Sequence, residues 1–559
     1  MKNEADLLLK NVKVVNVYTD EIEEKNIAVK NGIISGFGDY SAKEEIDCNG
    51  FFAAPGLVDS HVHIESSMVS PPEFAKAVLK SGTTTVVADP HEIANVLGTK
   101  GIDYMIAASQ ELPVDIYFMI PSCVPATDME TSGAVIEAED IRPYFSNPRV
   151  AGLGEVMNYP GVIAGDPKVI AKIKACLESG KPVDGHAPFV TGKYLCSYVG
   201  AGVSSDHECV SHEEALEKLS LGMHIMVREG TCARNLNDLF PAINEKTSER
   251  MMWCTDDRHP HDLFEGHISE IIRDAVALGL DPSIAIRMGT LSPCNYFKLS
   301  DRGAIAPGKI ADIILFRDLS DFKPAVIYKS GKKVFENGKY SDSVKFETSA
   351  KSLSVMNIDP DSLDFSIPCE EGKKINIIGV IEDQVITKRF CDYPKNENGF
   401  AVSDTERDIL KLCVVERYSG QGKTGKGFAK GFGLKKGAFA SSVGHDSHNI
   451  IVCGTNDEDM KTAVKKIIDM KGGFAVCAEG EVFASIALPI AGLMSEKTLD
   501  QVKHELDNVL SAVSQIGAYQ KDPFISLGFL SLPVIPELKL TDFGLIDVEK
   551  FKPVPLFTD

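Results

Sequence analysis

The sequence predicts an α/β protein built on a TIM-like (β/α)8 barrel, joined to a small β-sandwich and a C-terminal α+β domain. Between residues 56 and 300, β-rich runs alternate with helical stretches, which is the pattern of repeated βα units. Eight units in about 245 residues is the usual size of such a barrel. Each run ends in polar residues, and the carboxyl ends of barrel strands carry the chemistry. We therefore expect the active site at those ends.

The eight predicted barrel strands are short and rich in apolar and β-branched residues. They cover residues 58–64, 84–88, 115–120, 150–154, 182–185, 202–205, 224–227 and 251–254. The polar residues at their ends include His61, His63, Asp89, His91, Glu92, Glu155, His186, His207, Arg228 and Asp256. This sequence of imidazoles and carboxylates predicts a polar site on one face of the barrel.

Two segments flank the barrel region, residues 1–55 and 301–350. Both contain short β-rich runs separated by turns, as antiparallel strands do. We expect the two segments to pair into one small β-sandwich, which leaves residues 56–300 as the catalytic barrel.

Residues 351–559 form the third predicted unit, a C-terminal α+β domain. Helices are predicted at 404–417, 457–469 and 499–516, and strands at 375–380 and 448–452. The glycine-rich run 420–427 matches part of a phosphate-binding loop, but Gly427 stands where a magnesium-binding hydroxyl is needed. We interpret this run as a mobile loop. The polar segment 445–449 is either surface sequence or a loop that reaches the active site.

Composition excludes several classes of partner. The 559 residues carry a formal net charge of -22, which argues against nucleic acid and anionic membranes and favours a small neutral or cationic substrate. The 13 cysteines contain no C-x-x-C pair, and no apolar run approaches the ~20 residues that span a bilayer. We expect a cytoplasmic protein with reduced thiols.

The His61-Val62-His63 run is the first indication of a metal site. Residues i and i+2 of a strand share a face, so the two imidazoles can converge on one ion. Imidazole suits zinc, manganese or iron. A bare H-x-H is often incidental, but here it follows a Pro-Gly turn and an apolar run, and matching ligands recur downstream.

Six strand-end residues together can hold two divalent ions, and one carboxylate between the ions can bridge them. They are His61, His63, Glu155, His186, His207 and Asp256. Two metal ions can share a hydroxide that serves as a nucleophile near neutral pH. From the residues alone, the sequence predicts metal-assisted hydrolysis. Asp256 is the best proton carrier, because a metal-bound carboxylate stays ionised while its second oxygen is free to accept a proton.

This ligand order resembles that of the amidohydrolase superfamily. Many binuclear members bridge their metals with a carboxylated lysine, whereas this chain has Glu155 at that place, as in the adenine deaminase branch. Further stretches resemble the same branch: HIESSM at 63–68, ADPHEIANV at 88–96, DGHAP at 184–188, SDHE at 205–208, CTDDR at 254–258 and HDSHN at 445–449. The resemblance covers essentially the whole chain.

The resemblance implies hydrolytic deamination of the purine base adenine to hypoxanthine and ammonia, in purine salvage or catabolism. It implies two divalent metal ions, manganese or iron first and zinc second. We also expect a homo-oligomer of two or more chains. Glu92 and His207 follow Asp256 as candidate catalytic groups. Candidate substrate contacts are Asp89, His91, Arg228, His445 and His448.

Two alternatives remain open at this stage. A cyclic amidase of the dihydroorotase or hydantoinase type would use the same barrel and metals, but it usually carries the lysine bridge. A metal-free relative with a structural or signalling role would have lost ligands, whereas all six are present here. Metal analysis distinguishes a metal-free relative from an enzyme, and an assay of ammonia release distinguishes a cyclic amidase from a deaminase.

Overall fold

The chain opens with five strands that begin a mixed sheet. The computed structural model describes residues 4–382 and 384–559, so the first three residues of the predicted 1–55 segment lie outside it. The strands are β1 (Ala5–Asn16), β2 (Glu21–Lys30), β3 (Ile33–Phe37), β4 (Ala42–Asp47) and β5 (Phe52–Pro55). β1 pairs antiparallel with β2 and parallel with β4 and β5. Its alternating Leu7, Leu9, Val12 and Val14 are buried.

The central region alternates strands with helices. Its strands are β6 (Leu57–His63), β7 (Thr83–Ala88), β8 (Asp115–Ile120), β9 (Val150–Val156), β10 (Val183–Gly185), β11 (Ser205–Asp206), β12 (His224–Arg228), β13 (Met251–Cys254) and β14 (Asp256–Asp257). Its helices are α1 (Pro71–Leu79), α2 (His91–Leu97), α3 (Thr99–Ala108), α4 (Ala138–Ile141), α5 (Tyr159–Ala164), α6 (Pro167–Glu178), α7 (Gly192–Gly200), α8 (His212–Ser220), α9 (Leu236–Leu239), α10 (Pro260–Glu265), α11 (Ile268–Ala277), α12 (Pro282–Met288) and α13 (Leu291–Tyr296).

The strands of this region pair in parallel and in chain order. One sheet runs β10-β9-β8-β7-β6-β14, and a second runs β11-β12-β13. Each of the eight predicted strands overlaps an observed one, although the sixth has only the two residues of β11. β6, β7, β9 and β13 are buried along their whole length. Burial on both faces is typical of parallel strands covered by helices.

The chain then returns to the first sheet. The returning strands are β15 (Ile313–Phe316), β16 (Pro324–Lys329), β17 (Lys332–Glu336) and β18 (Lys339–Tyr340). β15 lies antiparallel to β5, with Ile314 opposite Ala54. The two segments that flank the central region are therefore hydrogen-bonded into one continuous sheet, and they share a hydrophobic cluster that includes Val14, Ile27 and Ile313.

The remaining chain forms a largely antiparallel sheet with helices beside it. Its strands are β19 (Lys374–Val380), β20 (Thr387–Asp392), β21 (Lys395–Glu397), β22 (Phe400–Val402), β23 (Leu410–Val415), β24 (Thr424–Lys430), β25 (Ala438–Ser441), β26 (Ile450–Gly454), β27 (Gly473–Ala478), β28 (Glu481–Ala487), β29 (Leu538–Thr541), β30 (Gly544–Asp547), β31 (Lys552–Val554) and β32 (Phe557–Thr558). Its helices are α14 (Asp457–Met470), α15 (Leu499–Gln515) and α16 (Pro523–Phe529).

Secondary structure in this part was predicted with mixed success. The helices at 457–469 and 499–516 are confirmed as α14 and α15. The helix at 404–417 is wrong, because the segment contains β23, a fully buried strand between β24 and β26. Its continuous apolar run fits a buried strand as well as a helix, and sheet pairing decides between them. Residues 420–423 form the turn from β23 into β24, and residues 424–427 belong to β24, where they pair with β23. The prediction of a mobile loop over 420–427 is therefore wrong for its second half.

The C-terminal part packs directly on the central region. Leu499, Val502 and Leu506 of α15 belong to the same hydrophobic cluster as Phe74 of α1. Polar contacts join the two parts as well, since Asp542 accepts hydrogen bonds from the backbone and hydroxyl of Thr131 at 2.8 and 2.6 Å. Among the described residues, no helix combines the length and apolarity needed to cross a membrane. All 13 cysteines are free thiols.

Candidate metal centre

Six predicted ligands converge where the parallel strands end. His61 and His63 close β6, Glu155 lies near the end of β9, and Asp256 begins β14. Asp256 is brought to β6 by its pairing with Val62. His186 and His207 directly follow β10 and β11. The sequence prediction of these six residues therefore matches a single site in the structure.

Glu155 lies between two pairs of imidazoles. Its Oε1 is 3.2 Å from Nε2 of His63 and 3.9 Å from Nε2 of His61. Its Oε2 is 2.6 Å from Nδ1 of His186 and 3.3 Å from Nε2 of His207. One carboxylate thus faces one histidine pair with each oxygen, which is the arrangement of a bridging ligand.

Asp256 completes the first histidine pair. Its Oδ1 is 3.1 Å from Nε2 of His63 and 3.6 Å from Nε2 of His61. Its second oxygen has a partner, because Nη1 of Arg228 donates to Oδ2 at 2.9 Å. The prediction that this oxygen is free is therefore wrong. The prediction had treated Arg228 as a substrate contact, whereas the structure shows it buried and bound to Asp256 and Glu208.

Asp89 orients two of the ligands from behind. Nδ1 of His63 donates to the Asp89 carbonyl at 2.9 Å, which directs Nε2 towards the site. The Asp89 carboxylate accepts a hydrogen bond from the backbone N–H of Glu155 at 2.9 Å. Its side chain is fully buried. Asp89 was predicted to contact the substrate, and the structure instead places it behind Glu155 and His63 as their support.

The sequence prediction missed Glu208. Its Oε1 lies 3.5 Å from Nε2 of His207 and 3.9 Å from Nδ1 of His186. Glu208 directly follows His207 in the chain, so its position in the sequence was the available signal. Strand-end reasoning places only one side chain of such a neighbouring pair on the site, and the turn after the two-residue β11 brings both to it.

Four further predicted residues gather beside the centre. Nδ1 of His91 is 3.3 Å from Oε1 of Glu155, and Glu92 follows it in the first turn of α2. Oε1 of Glu92 is 3.2 Å from Nδ1 of His445. The rings of His445 and His448 lie 5.5 Å apart. Segment 445–449 therefore reaches the central region, as one of its two sequence interpretations held.

The electrostatics of the site favour a cation. Burial, with the neighbouring His207, lowers the pKa of His61 to about 4, so its ring is neutral at pH 7. Burial opposes charge on His63, but Asp256 and Glu155 raise its pKa well above the ordinary value. Burial would raise the pKa of Glu155, but hydrogen bonds from His186, His207 and His63 hold it well below its usual range. This site attracts positive charge.

The donor set fits divalent metal ions. The Nε2 atoms of His61 and His63 are 3.2 Å apart, close enough for both to ligate one cation. Two buried groups, His61 with His63 and Asp256, and His61 with Glu155 and His207, each bring ligand atoms within 4.8 Å of one another. Imidazole and carboxylate together suit zinc, manganese and iron.

The open side of the centre lies at His186. Its side chain is 27% exposed, whereas those of His61 and His207 are 1% and 2% exposed. Phe189, in the loop that follows, is 73% exposed. Among the six candidate ligands, His186 at the end of β10 is therefore the side chain most open to solvent.

Comparison with known proteins gives the family. The amidohydrolase family profile matches residues 52–334, and the adenine deaminase C-terminal domain profile matches residues 384–552. The adenine deaminase of Desulfatibacillum aliphaticivorans is 51% identical over 554 residues, with 99% of this chain and 97% of the relative covered. Adenine deaminase 2 of Carboxydothermus hydrogenoformans is 48% identical over 560 residues, with 99% and 97% covered.

A solved structure is also similar in part. The β-aspartyl dipeptidase of Fervidobacterium islandicum AW-1 aligns with a TM-score of 0.47 at 18% identity, over 62% of this chain and 100% of that chain. The two family profiles and the curated relatives together span nearly the whole sequence. This chain belongs to the amidohydrolase family and, within it, to the adenine deaminases.

Proposed function

We propose that this protein converts adenine and water to hypoxanthine and ammonia, as a step of purine salvage or catabolism. The observation that carries the proposal is Glu155, whose two oxygens each face one histidine pair. Its carboxylate stands where a cyclic amidase usually has a lysine, so the amidase alternative is not favoured. The curated relatives that match 97% of their own length are named adenine deaminases.

We infer that the two parallel sheets form one closed TIM-like barrel of eight strands. Support comes from the backbone hydrogen bond of Ser204 to Val183 at 2.9 Å, which links the chain before β11 to β10. Domain limits at 56–300 for the barrel, at 1–55 and 301–350 for the flanking unit, which was predicted as a β-sandwich and is one continuous sheet, and at 351–559 for the C-terminal domain are part of the same proposal. We further propose a cytoplasmic homo-oligomer, a dimer or larger.

Two divalent ions, manganese or iron before zinc, would be held by His61, His63, Glu155, His186, His207 and Asp256. When bound, they supply Lewis-acid activation of a water molecule near neutral pH. The pair His61 and His63 with Asp256 forms one half of the site, and His186 with His207 forms the other. Glu208 is an additional candidate ligand of the second half.

The side chains of the site must transfer protons during the reaction. Deamination requires that a ring nitrogen gain a proton and that the exocyclic amine leave as ammonia. We assign the transfer to Oδ2 of Asp256, with His207 and Glu92 next in order. Arg228 donates hydrogen bonds to both Asp256 and Glu208. When Oδ2 of Asp256 takes the proton, Arg228 therefore still has Glu208 as a hydrogen-bond partner. His91, His445 and His448 remain the proposed contacts to the purine.

The test is ammonia release by the manganese-loaded protein, measured in parallel with adenine, adenosine, guanine and dihydroorotate. Adenine should be turned over and adenosine should not, because the curated relatives are deaminases of the free base by name. Faster ammonia release from adenosine would contradict the assignment. Hydrolysis of dihydroorotate without ammonia release from adenine would establish the cyclic amidase instead.

A further inference from the structure

A second group of metal-ligating side chains lies beside the proposed binuclear centre. Glu92 belongs to the first turn of α2 in the central region, and His445 and His448 belong to the loop before β26 in the C-terminal part. We call these three residues the loop cluster. One ligand atom from each lies within 4.8 Å of the other two.

His448 is the residue that most needs a partner. Its side chain is fully buried, yet among the described residues neither Nδ1 nor Nε2 has a hydrogen-bond partner. A neutral imidazole has one donor and one acceptor, and buried polar atoms in proteins are normally satisfied. The ring of His448 stands 5.5 Å from that of His445, whose Nδ1 is 3.2 Å from Oε1 of Glu92. The unpartnered nitrogens therefore lie beside two other donors.

The charge around the loop cluster also calls for a cation. Glu65 and Asp446 are buried near Glu92, and each has one carboxylate oxygen without a hydrogen-bond partner in the described part of the chain. Oδ1 of Asp446 is 3.9 Å from Nδ1 of His445. Grouped buried carboxylates are costly unless paired with positive charge or a metal ion. The other groups that face the loop cluster include the imidazole of His91, the buried guanidinium of Arg417 and the carboxyl of Asp257.

We propose that Glu92, His445 and His448 hold a third divalent cation, separate from the two ions of the main centre. Two imidazole nitrogens and one carboxylate oxygen, with a fourth position open to water, make a donor set that zinc commonly accepts. His91 separates the sites: its Nδ1 is 3.3 Å from Glu155, and its Nε2 is 4.0 Å from Asp446. The third ion is thus distinct from those on Glu155.

Such an ion would fasten two parts of the chain together. One ligand comes from α2, which follows β7, and two come from the C-terminal loop. The ring of His445 is already stacked on Phe529 with centroids 4.5 Å apart, so one side of the loop is fixed before metal binds. The third ion therefore has a structural role next to the active site, in which Glu92, His445 and His448 serve as its ligands in place of the proton-carrier and purine-contact roles considered above. This inference does not depend on adenine being the substrate.

Metal content of the full-length protein tests the proposal. The zinc-saturated protein, freed of unbound metal by gel filtration, should contain three ions per chain. His448→Phe, which replaces the imidazole with a ring that cannot ligate, should contain two. His224→Phe is the matched control, because Nδ1 of His224 is also buried without a partner among the described residues, but it begins β12 at the far end of the strands. It should keep three ions.

Two ions per chain in the unmodified protein would overturn the proposal. Zinc-edge anomalous diffraction from crystals of that protein decides the case even when His448→Phe fails to fold. A third anomalous peak between Glu92, His445 and His448 is expected. Anomalous peaks at the main centre alone, with an ordinary water at the loop cluster, would refute the third ion.

Discussion

His61, His63 and Arg228 together hold Asp256 in its ionised form. Burial would raise the pKa of the Asp256 carboxyl, but the imidazoles of His61 and His63 and the Arg228 guanidinium hold it well below its ordinary value. Asp256 also has a backbone φ of 52°, in the left-handed region that residues other than glycine seldom occupy. Such a conformation persists only where the surroundings enforce it, and it is common at functional sites. Here the enforcement comes from β6 and Arg228 together.

Replacement of Asp256 should cost far more activity than metal. Asp256→Asn keeps the shape and one oxygen ligand but loses the base, so we expect kcat to fall by about 10²–10⁴ with metal largely retained. His61→Ala should lose metal and activity together, because it removes a ligand outright. Metal content and kcat are measured side by side. If Asp256→Asn keeps its metal and works within a few-fold of the parent, the proton carrier is Glu92 or His207.

At the residue scale, the sequence located the six candidate ligands better than the residues that contact them. His61, His63, Glu155, His186, His207 and Asp256 could be found because strand periodicity and strand ends assign side chains to one face. The partners of these residues could not be found that way. Arg228 pairs with Asp256 across 28 residues, and Asp89 supports Glu155 across 66. Only the folded arrangement of neighbouring strands shows those pairings.

At the scale of elements, β9 depends on a glycine beside its ligand. A Cβ built on Gly154 would lie 2.0 Å from Oδ2 of Asp89, the atom that accepts the Glu155 N–H. The absence of a side chain on Gly154 therefore leaves room for the Asp89 carboxylate, which follows β7, to reach β9 past the intervening β8 and support Glu155. Apolar runs in the sequence were enough to predict the eight strands, but a close contact such as that between Gly154 and Asp89 depends on the folded structure.

Gly154→Ala should weaken the metal centre. The added methyl group must displace the Asp89 carboxylate, and overpacking of this kind typically costs about 1–3 kcal/mol. We expect lower stability in urea unfolding and lower metal content. Gly200→Ala is the control, because a Cβ there meets nothing within 4 Å. If Gly154→Ala retains full metal content and stability, Asp89 moves without consequence for Glu155.

Lys539 in β29 makes the stability of the fold depend on pH. Its amine is buried and donates to the carbonyls of Val385 and Phe529 at 2.8 and 2.9 Å. Burial lowers the pKa of Lys539 from 10.5 to about 7. Between these values the unfolded chain binds the extra proton, so the free energy of unfolding should rise as pH increases from about 7 and level off above 10.5.

Lys539→Met should remove this contribution. We expect the parent to gain on the order of 2 kcal/mol more than the variant between pH 7 and pH 9, from 1.36 kcal/mol per pKa unit. Urea unfolding of both proteins at the two pH values measures it. Equal pH slopes in the two proteins would show that Lys539 is charged in the fold at neutral pH.

At the scale of the whole molecule, Thr131 joins the two large parts of the chain. Its backbone N–H and hydroxyl donate to the buried Asp542, and its carbonyl accepts from Nδ2 of Asn449 at 2.8 Å. Thr131 and Asp542 are 411 residues apart, a separation at which sequence pattern gives no information on contact. The existence of a C-terminal α+β unit could be predicted from the sequence, but the residues through which it packs on the central region could not.

Asp542→Ala should loosen this contact. Loss of two hydrogen bonds to a buried carboxylate should cost about 2–3 kcal/mol, and kcat should fall several-fold as Asn449 and its loop lose their anchor. Asp507→Ala is the control, because the Asp507–His261 pair crosses the same boundary but is solvent-exposed, and such pairs contribute about 0–1 kcal/mol. Similar losses of stability and kcat in both variants would show that the contact at Thr131 contributes no more than an exposed ion pair.

The pairing of β5 with β15 has a consequence for synthesis on the ribosome. One edge of β5, at Ala54, stays unpaired until Ile314 of β15 has been synthesised, about 260 residues later. At roughly 5–20 residues per second, that delay is on the order of 10 to 50 seconds. During this time the nascent chain exposes an unpaired apolar strand edge, which is a surface that chaperones recognise and that promotes aggregation. Completion of the first sheet thus comes after the whole catalytic region has emerged, and overproduction at high temperature should yield more inclusion bodies than slow synthesis in the cold.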